Sequence, residues 1–277
     1  MKDKITEKLL LFIAFSAILS LLLITFFIFQ QGVPLIFKAG LQNFFSLKWA
    51  PTKGGFGILS MIVGSLMVTT GALAVGVPFG LACAIYLAEF SSSAFQKTLK
   101  PIIELLAGIP SVVYGFIGIV ILIPFIRETF GGPGFSVLAA SIVLGIMILP
   151  TIVSISYDAL MSVPSTYRDG SLALGATRWQ TVVMCLIPAA RSGIVASIIL
   201  GMGRAIGETM AVIMIAGNAL KVPGSILDSV RTLTSTIALE LGYAAGDHRA
   251  ALFACGSFLF LIIIILNIIA IRVTGRK

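Results

Sequence analysis

The stretch DALMSVPSTYRDGSLALGATRWQTVVMCLIPAAR, residues 158–191, decides how this chain folds. It is a charged, helix-punctuated island between two long apolar runs. Before it, residues 135–157 carry no charge; after it, residues 190–216 carry only Arg191, Arg204 and Glu208. Within the island, Pro164 can open a short helix at its first position, and Gly175 can close it in the left-handed conformation. Thr177 followed by Gln180 reads as a capping box that starts a second helix, running to about Ile187 before Pro188. The expected local structure is helix, glycine bend, helix, lying at one face of a membrane. The first helix carries Tyr167, Leu172 and Leu174 beside Arg168 and Asp169. That pattern fits an amphipathic helix resting on lipid headgroups, and it fits equally a knob that docks a cytoplasmic partner.

The rest of the chain makes lipid its main solvent. Of 277 residues, 58% are hydrophobic and 11% charged, with a mean hydropathy of +1.10. Soluble domains carry roughly 25% charged residues. A soluble enzyme, a disordered tail and a disulfide-stapled secreted module are excluded. The net charge of +8, from 19 basic and 11 acidic residues, includes no basic run interleaved with aromatics. Nucleic-acid binding is therefore excluded. Cys83, Cys185 and Cys255 stand singly in apolar surroundings, and His248 reads as a loop residue. They form no metal-binding spacing.

About 20 apolar residues cross a bilayer as a helix, and the pattern predicts an all-α polytopic membrane protein with six such spans. They fall at about residues 9–29, 56–88, 102–126, 135–157, 190–216 and 250–271, in a single transmembrane domain. Lys2, Lys4 and Lys8 precede the first as in a signal peptide, but no small-residue cleavage site ends the run before Gln30, so it reads as an uncleaved helix. The second is long, and Gly76, Pro78 and Gly80 predict tilt or a kink. Six spans place both termini on one side. That side holds eleven Lys and Arg against seven opposite, which predicts cytoplasmic termini and a cytoplasmic 158–191 loop. The outer loops keep a net positive charge, suited to a passing anion. Trp49 and Tyr86 read as interface anchors.

Two motifs give the chain a family resemblance. Asp169-Gly-Ser171, three residues, Gly175 and then Pro188 resemble the EAA loop of binding-protein-dependent ABC importer permeases. That pattern reads Glu-Ala-Ala, three residues, Gly, nine residues, Ile, one residue, Leu-Pro. This chain keeps the glycine and proline spacing and departs at Asp169, Gly170, Ser171, Cys185 and Ile187. Gly170 weakens its helix by roughly 1 kcal/mol against Ala. Gly203-Arg-Ala-Ile-Gly-Glu-Thr-Met-Ala-Val212, with Gly217-Asn218 after it, resembles the PstC family of phosphate permeases more than the related PstA family. Ala107-Gly-Ile-Pro-Ser-Val-Val-Tyr-Gly115, Phe56-Gly-Ile-Leu59, Gly64-Ser-Leu66, Arg231-Thr-Leu-Thr234 and Thr236-Ile-Ala-Leu-Glu240 are similar to stretches of the same permeases.

The resemblance implies the type I ABC importer permease fold in a bacterial cytoplasmic membrane. It implies alternating access driven by two copies of an ABC ATPase, with a second, PstA-like permease and a periplasmic phosphate-binding protein. In such permeases the loop inserts into a cleft on the ATPase, which assigns coupling to Asp169, Gly175, Ala176 and Pro188. The chain has no P-loop or catalytic constellation of its own, so it reads as a transport subunit that needs no cofactor.

The residues themselves suggest the substrate path. Phosphate must exchange its water shell for donors, and a guanidinium matches its oxygens bidentately. Arg204 lies mid-span, where a charge costs at least about 2.5–3.5 kcal/mol. Glu208, four residues on, is placed to neutralise it from one turn away. With Thr209 these are the candidate pathway residues; a structural ion pair binding the partner subunit is the other reading. Gly201, Gly203 and Gly207 allow close packing or a narrow passage. Glu104 reads as an interfacial carboxylate, hydrated or paired with Lys100. The rivals are a permease for sulfate, molybdate or phosphonate, and a stand-alone channel or carrier, which would need no docking loop.

Overall fold

A computed structural model describes residues 2–275, and the elements are helical apart from one two-stranded hairpin. Among the described residues, five helices are long and apolar enough to cross a membrane. A bent pair makes a sixth if counted as one span. The chain divides into two compact units, one running to Leu59 and resuming over Thr236–Leu261, the other covering Ser60–Ser235 and the residues from Ile262.

In the first unit, helix α1 runs over Lys2–Ala39. It passes through Gln30 and Pro34, where the apolar run alone predicts an end. Gly32 explains part of this: a Cβ there would stand 2.6 Å from the backbone at Phe253, so the helix is packed closest at this point. Ser257 Oγ donates to the Ile28 carbonyl at 3.1 Å beside it. The hairpin pairs β1 (Trp49–Ala50) with β2 (Gly55–Phe56) around a 3-10 turn closed by Gly54 at φ +75°. The second span was expected to begin at residue 56. Residues 54–58 instead complete this hairpin, because Phe44 and Ser46 carbonyls accept the Ile58 and Leu59 amides.

Trp49 is buried and is not an interface anchor. Its indole donates to both carboxylate oxygens of Glu240, at 3.0 and 3.2 Å. His248 is not in a loop; it lies on the first turns of the last helix, Gly246–Gly275, with Nε2 2.8 Å from Glu240. Tyr86 is exposed, as an anchor should be.

In the second unit, α2 covers Leu59–Phe90, its last five residues forming a π turn. The helix continues unbroken through Pro78. Helix α3 (Ser93–Ala107) follows, then α4 (Ser111–Phe130) with a π turn at Gly118–Leu122. The third span is thus not 102–126. Gly108-Ile109-Pro110 interrupts it, since Pro110 disfavours helix in the residue before it. Glu104 consequently lies on α3, exposed, and Lys100 bonds Asp158 instead, at 2.9 Å. That bond raises the Lys100 pKa.

Helix α5 (Val137–Met161) is the centre of this unit. It contributes Val143, Leu144, Met147, Ile148 and Ile152 to the main apolar cluster. Glycines bring α2 against it. A Cβ on Gly76 would meet Ile148 Cγ1 at 2.6 Å, one on Gly80 would meet Ile152 at 2.7 Å, and one on Gly145 would meet Val75 at 2.8 Å. One turn beyond Ile152, Ser156 shares a buried hydrogen bond of 2.7 Å with Ser197.

The start of α5 must satisfy its free amides. Ser136 accepts from Ala139, and the loop at residues 216–232 supplies the rest. Its Ile226 and Asp228 carbonyls accept from Leu138 and Val137 at 2.7 and 3.0 Å. Asp228 shapes the loop by accepting the Gly224 and Ser225 amides, which together with Lys221 hold its carboxyl below the usual range.

Placing a Leu at Gly145 should overpack the α2–α5 contact by roughly 1–3 kcal/mol. Thermal unfolding of the purified protein, read by tryptophan or thiol exposure, should shift to lower temperature. The control Gly170→Ala has open space around its Cβ and should not destabilise.

Candidate transport pathway and coupling loop

After α5 the island folds as the predicted helix, glycine bend and helix, except that Pro164 precedes the first helix and the second continues through Pro188 to Ala189. Helix α6 covers Ser165–Ala173, with Pro164 just before it. Gly175 has φ +85° and ends it. Thr177 caps α7 (Arg178–Ala189), with both hydrogen bonds of the capping box present, at 3.2 and 2.8 Å. A further bond, Ser171 Oγ to Thr181 Oγ1 at 3.0 Å, draws the two helices together. Within α7 a π turn at Val182–Leu186 precedes Pro188, whose missing N–H falls where an added residue has already loosened the ladder.

Asp169 and Gly175 are exposed and Ala176 is half-buried, its amide returning to the Ser171 carbonyl at 3.2 Å. Around them Leu174 is 91% exposed. Tyr167, Leu172, Trp179 and Met184 are also exposed. Pro188 stands apart and lines a cleft of about 660 Å³ with Tyr167, Cys185 and Gly193.

Helix α8 (Arg191–Gly207) leaves α7 at a 73° bend around Ala190. It carries the other predicted residues to its far end. Thirteen residues separate Arg191 from Arg204, about 20 Å of helix. The coupling candidates Asp169, Gly175, Ala176 and Pro188 all precede this rod, whereas Arg204 lies in its last turn and Glu208 and Thr209 just beyond it.

The geometry at Arg204 differs from the expected ion pair. Helix α8 stops at Gly207, and Glu208 is extended at ψ 131°. Its carboxylate is turned to the short helix α9 (Met210–Ile215), accepting the Ala211 amide at 3.1 Å. Glu208 thus acts as a cap, and the i,i+4 relation to Arg204 is lost. Among the described residues Arg204 has no hydrogen-bond or ion-pair partner; it is half-buried in the last turn of α8. Thr209 hydroxyl donates to the Gly207 carbonyl at 3.2 Å. Thr234 hydroxyl donates to the Glu208 carbonyl at 3.0 Å, within a buried cluster with Thr232 and Ser235.

The glycines divide by role. Gly201 packs on Ile152, where a Cβ would stand at 3.1 Å, whereas Gly203 and Gly207 face open space. Arg204 thus lies one turn before a break whose Gly207 and Glu208 carbonyls are covered by threonine hydroxyls, and two nearby glycines carry no bulk. A broken helix at membrane depth is tolerated where it is buried in protein or lines a polar cavity.

Two contacts join residues that the sequence alone does not pair. One is Thr234 on the Glu208 carbonyl. The other is a bidentate pair between Arg168 of α6 and Glu89 of the π turn ending α2, Nε to Oε1 at 2.9 Å and to Oε2 at 3.1 Å. Glu89 ends a long uncharged run, which is its only local signal.

Thr177→Ala should remove about 1 kcal/mol of helix stability at α7. Amide hydrogen exchange over residues 178–181 should accelerate, with no change at α5.

Known proteins place this geometry. Residues 76–276 match the family described as binding-protein-dependent transport system inner membrane component. The chain is 46% identical to a probable ABC transporter permease protein, YqgH, of Bacillus subtilis over 79% of this chain and 74% of that one. It is 35% identical to the phosphate transport system permease protein PstC of Mesorhizobium japonicum, over 81% and 75%. It is 32% identical to a probable PstC of Methanocaldococcus jannaschii, over 95% and 90%. Among solved structures, a bacterial ABC transporter importing the acidic polysaccharide alginate aligns with TM-score 0.59 at 19% identity, covering 95% and 96%. The inward-facing MetNI methionine transporter aligns at 0.58 and 21%, covering 79% and 93%. The expected fold, a type I ABC importer permease, is the fold found.

Proposed function

The chain belongs to the family of binding-protein-dependent transport system inner membrane components, and from that membership we propose that it is the phosphate-conducting permease subunit of an ABC importer. It is a multi-pass membrane protein and a transport subunit. Its likeness to PstC over 95% of the chain carries the phosphate reading. The unpartnered Arg204 at a helix break is what a passing oxyanion requires.

In the proposed mechanism, two copies of an ABC ATPase dock on α6 and its glycine bend, with Asp169, Gly175, Ala176 and Pro188 at or beside the contact. A second, PstA-like permease completes the path, and a periplasmic phosphate-binding protein delivers the anion. ATP-driven closure moves the docked loops, and α8 passes that movement to its far end. There Arg204 takes the anion, Thr209 offers a hydroxyl, and Glu208 holds the break in shape. The proposed topology puts both termini in the cytoplasm.

Arg204→Gln should lower phosphate uptake by roughly 10–100-fold, the worth of a charge-assisted contact, while copurification with the ATPase stays intact. Normal uptake in that variant removes Arg204 from the path. Competition by sulfate at equal concentration separates phosphate from a general oxyanion permease. Alkaline phosphatase fused after Gly132 should be active, and fused after Gly175 inactive; the reverse pattern inverts the topology.

A further inference from the structure

We propose that Glu89 and Arg168 form a strut that carries movement of the docked loop into the second span; this rests on the transport reading above. Both are positioning residues, acting through the helices they join. Arg168 grips the Glu89 carboxylate with two donors, Nε on both oxygens and Nη2 on Oε1, and its Nη2 also donates to the Leu160 carbonyl at 3.4 Å. One side chain therefore ties α6 to the end of α2 and to the last turn of α5.

The pair is shielded, with side chains 23% and 11% exposed. By contrast, Lys38–Asp247 and Lys100–Asp158 lie at the surface, with side-chain exposures of 67% and 54%, and 39% and 59%. Pairs of that exposed kind hold little. A planar fork fixes direction as well as distance, so it can push and pull.

What lies at each end makes the tie consequential. At one end α6 presents exposed Tyr167 and Leu172, with exposed Leu174 just past its end, and Ser171 joins it to α7. At the other end Glu89 belongs to α2, which is locked to α5 at Gly71, Gly76 and Gly80. A displacement at Glu89 therefore moves a packed helix. The main chain supplies a different route, through α7 and α8. The strut gives the docked loop a second grip, on α2 rather than on α8.

The test uses the assembled complex in liposomes, with its ATPase and binding protein, and reads phosphate moved per ATP hydrolysed. Glu89→Gln and Arg168→Gln should keep assembly and ATP hydrolysis and lower that ratio about tenfold, within the range of coupling energies. The exchanged pair, Glu89→Arg with Arg168→Glu, should restore it. A fall of less than about threefold in Glu89→Gln overturns the proposal. So does loss of uptake and hydrolysis in parallel with the amount of assembled complex, which marks a merely structural pair. If Glu89→Gln does not assemble, Arg168→Lys decides: it keeps the charge without the fork, and an unchanged ratio overturns the strut. Failure of the phosphate reading is distinct, because then the wild-type complex moves no phosphate. The strut is in that case read from spin labels at Phe90 and Thr166, whose distance distribution should broaden in Glu89→Gln. An unchanged distribution refutes it.

Discussion

A backbone amide at membrane depth must find its partner within the protein, because lipid offers none. That constraint organises the second unit. The opening turn of α5 is closed by carbonyls from Ile226 and Asp228, so the loop at 216–232 is as necessary to the helix as its own ladder. The break after Gly207 is handled by side chains: Glu208 takes the Ala211 amide and Thr234 covers the Glu208 carbonyl. With its carboxylate committed there, Glu208 leaves Arg204 as the uncommitted charge. The chemistry at the break is a by-product of how the chain solved its hydrogen bonding.

The loop at 158–191 is legible in sequence because its signals are local. Pro164, Gly175 and the Thr177–Gln180 box act over three or four residues, where backbone preference decides, and tertiary packing did not override them. Spans were legible as apolar runs, but their ends were not. Hydropathy does not register a hairpin at 49–56 or a helix that continues past Gln30. The break at Gly108-Ile109-Pro110 had a signal, Pro110, which the unbroken apolar run concealed.

At the polar residues, structure and spacing part for one reason. Helical spacing pairs Arg204 with Glu208 across a point where the helix ends, and Lys100 with Glu104 although its ion pair is with Asp158. Trp49 has the residue type of a surface anchor, yet Glu240, far along the chain, gives its indole a buried acceptor. Partners distant in sequence leave no periodic trace. Arg168 and Glu89 are the same case: each charge looks ordinary alone.

Three of the described helices contain a π turn, at Tyr86–Phe90, Gly118–Leu122 and Val182–Leu186. Such a turn holds one residue more than the α path, so every side chain beyond it is rotated by about 100°. The turn in α7 thus sets the azimuth at which Pro188 and the 73° elbow present α8. Excising a single residue there would leave the apolar character unchanged and the helix intact. It would still swing the rod, and Arg204 at its tip, to face a different wall.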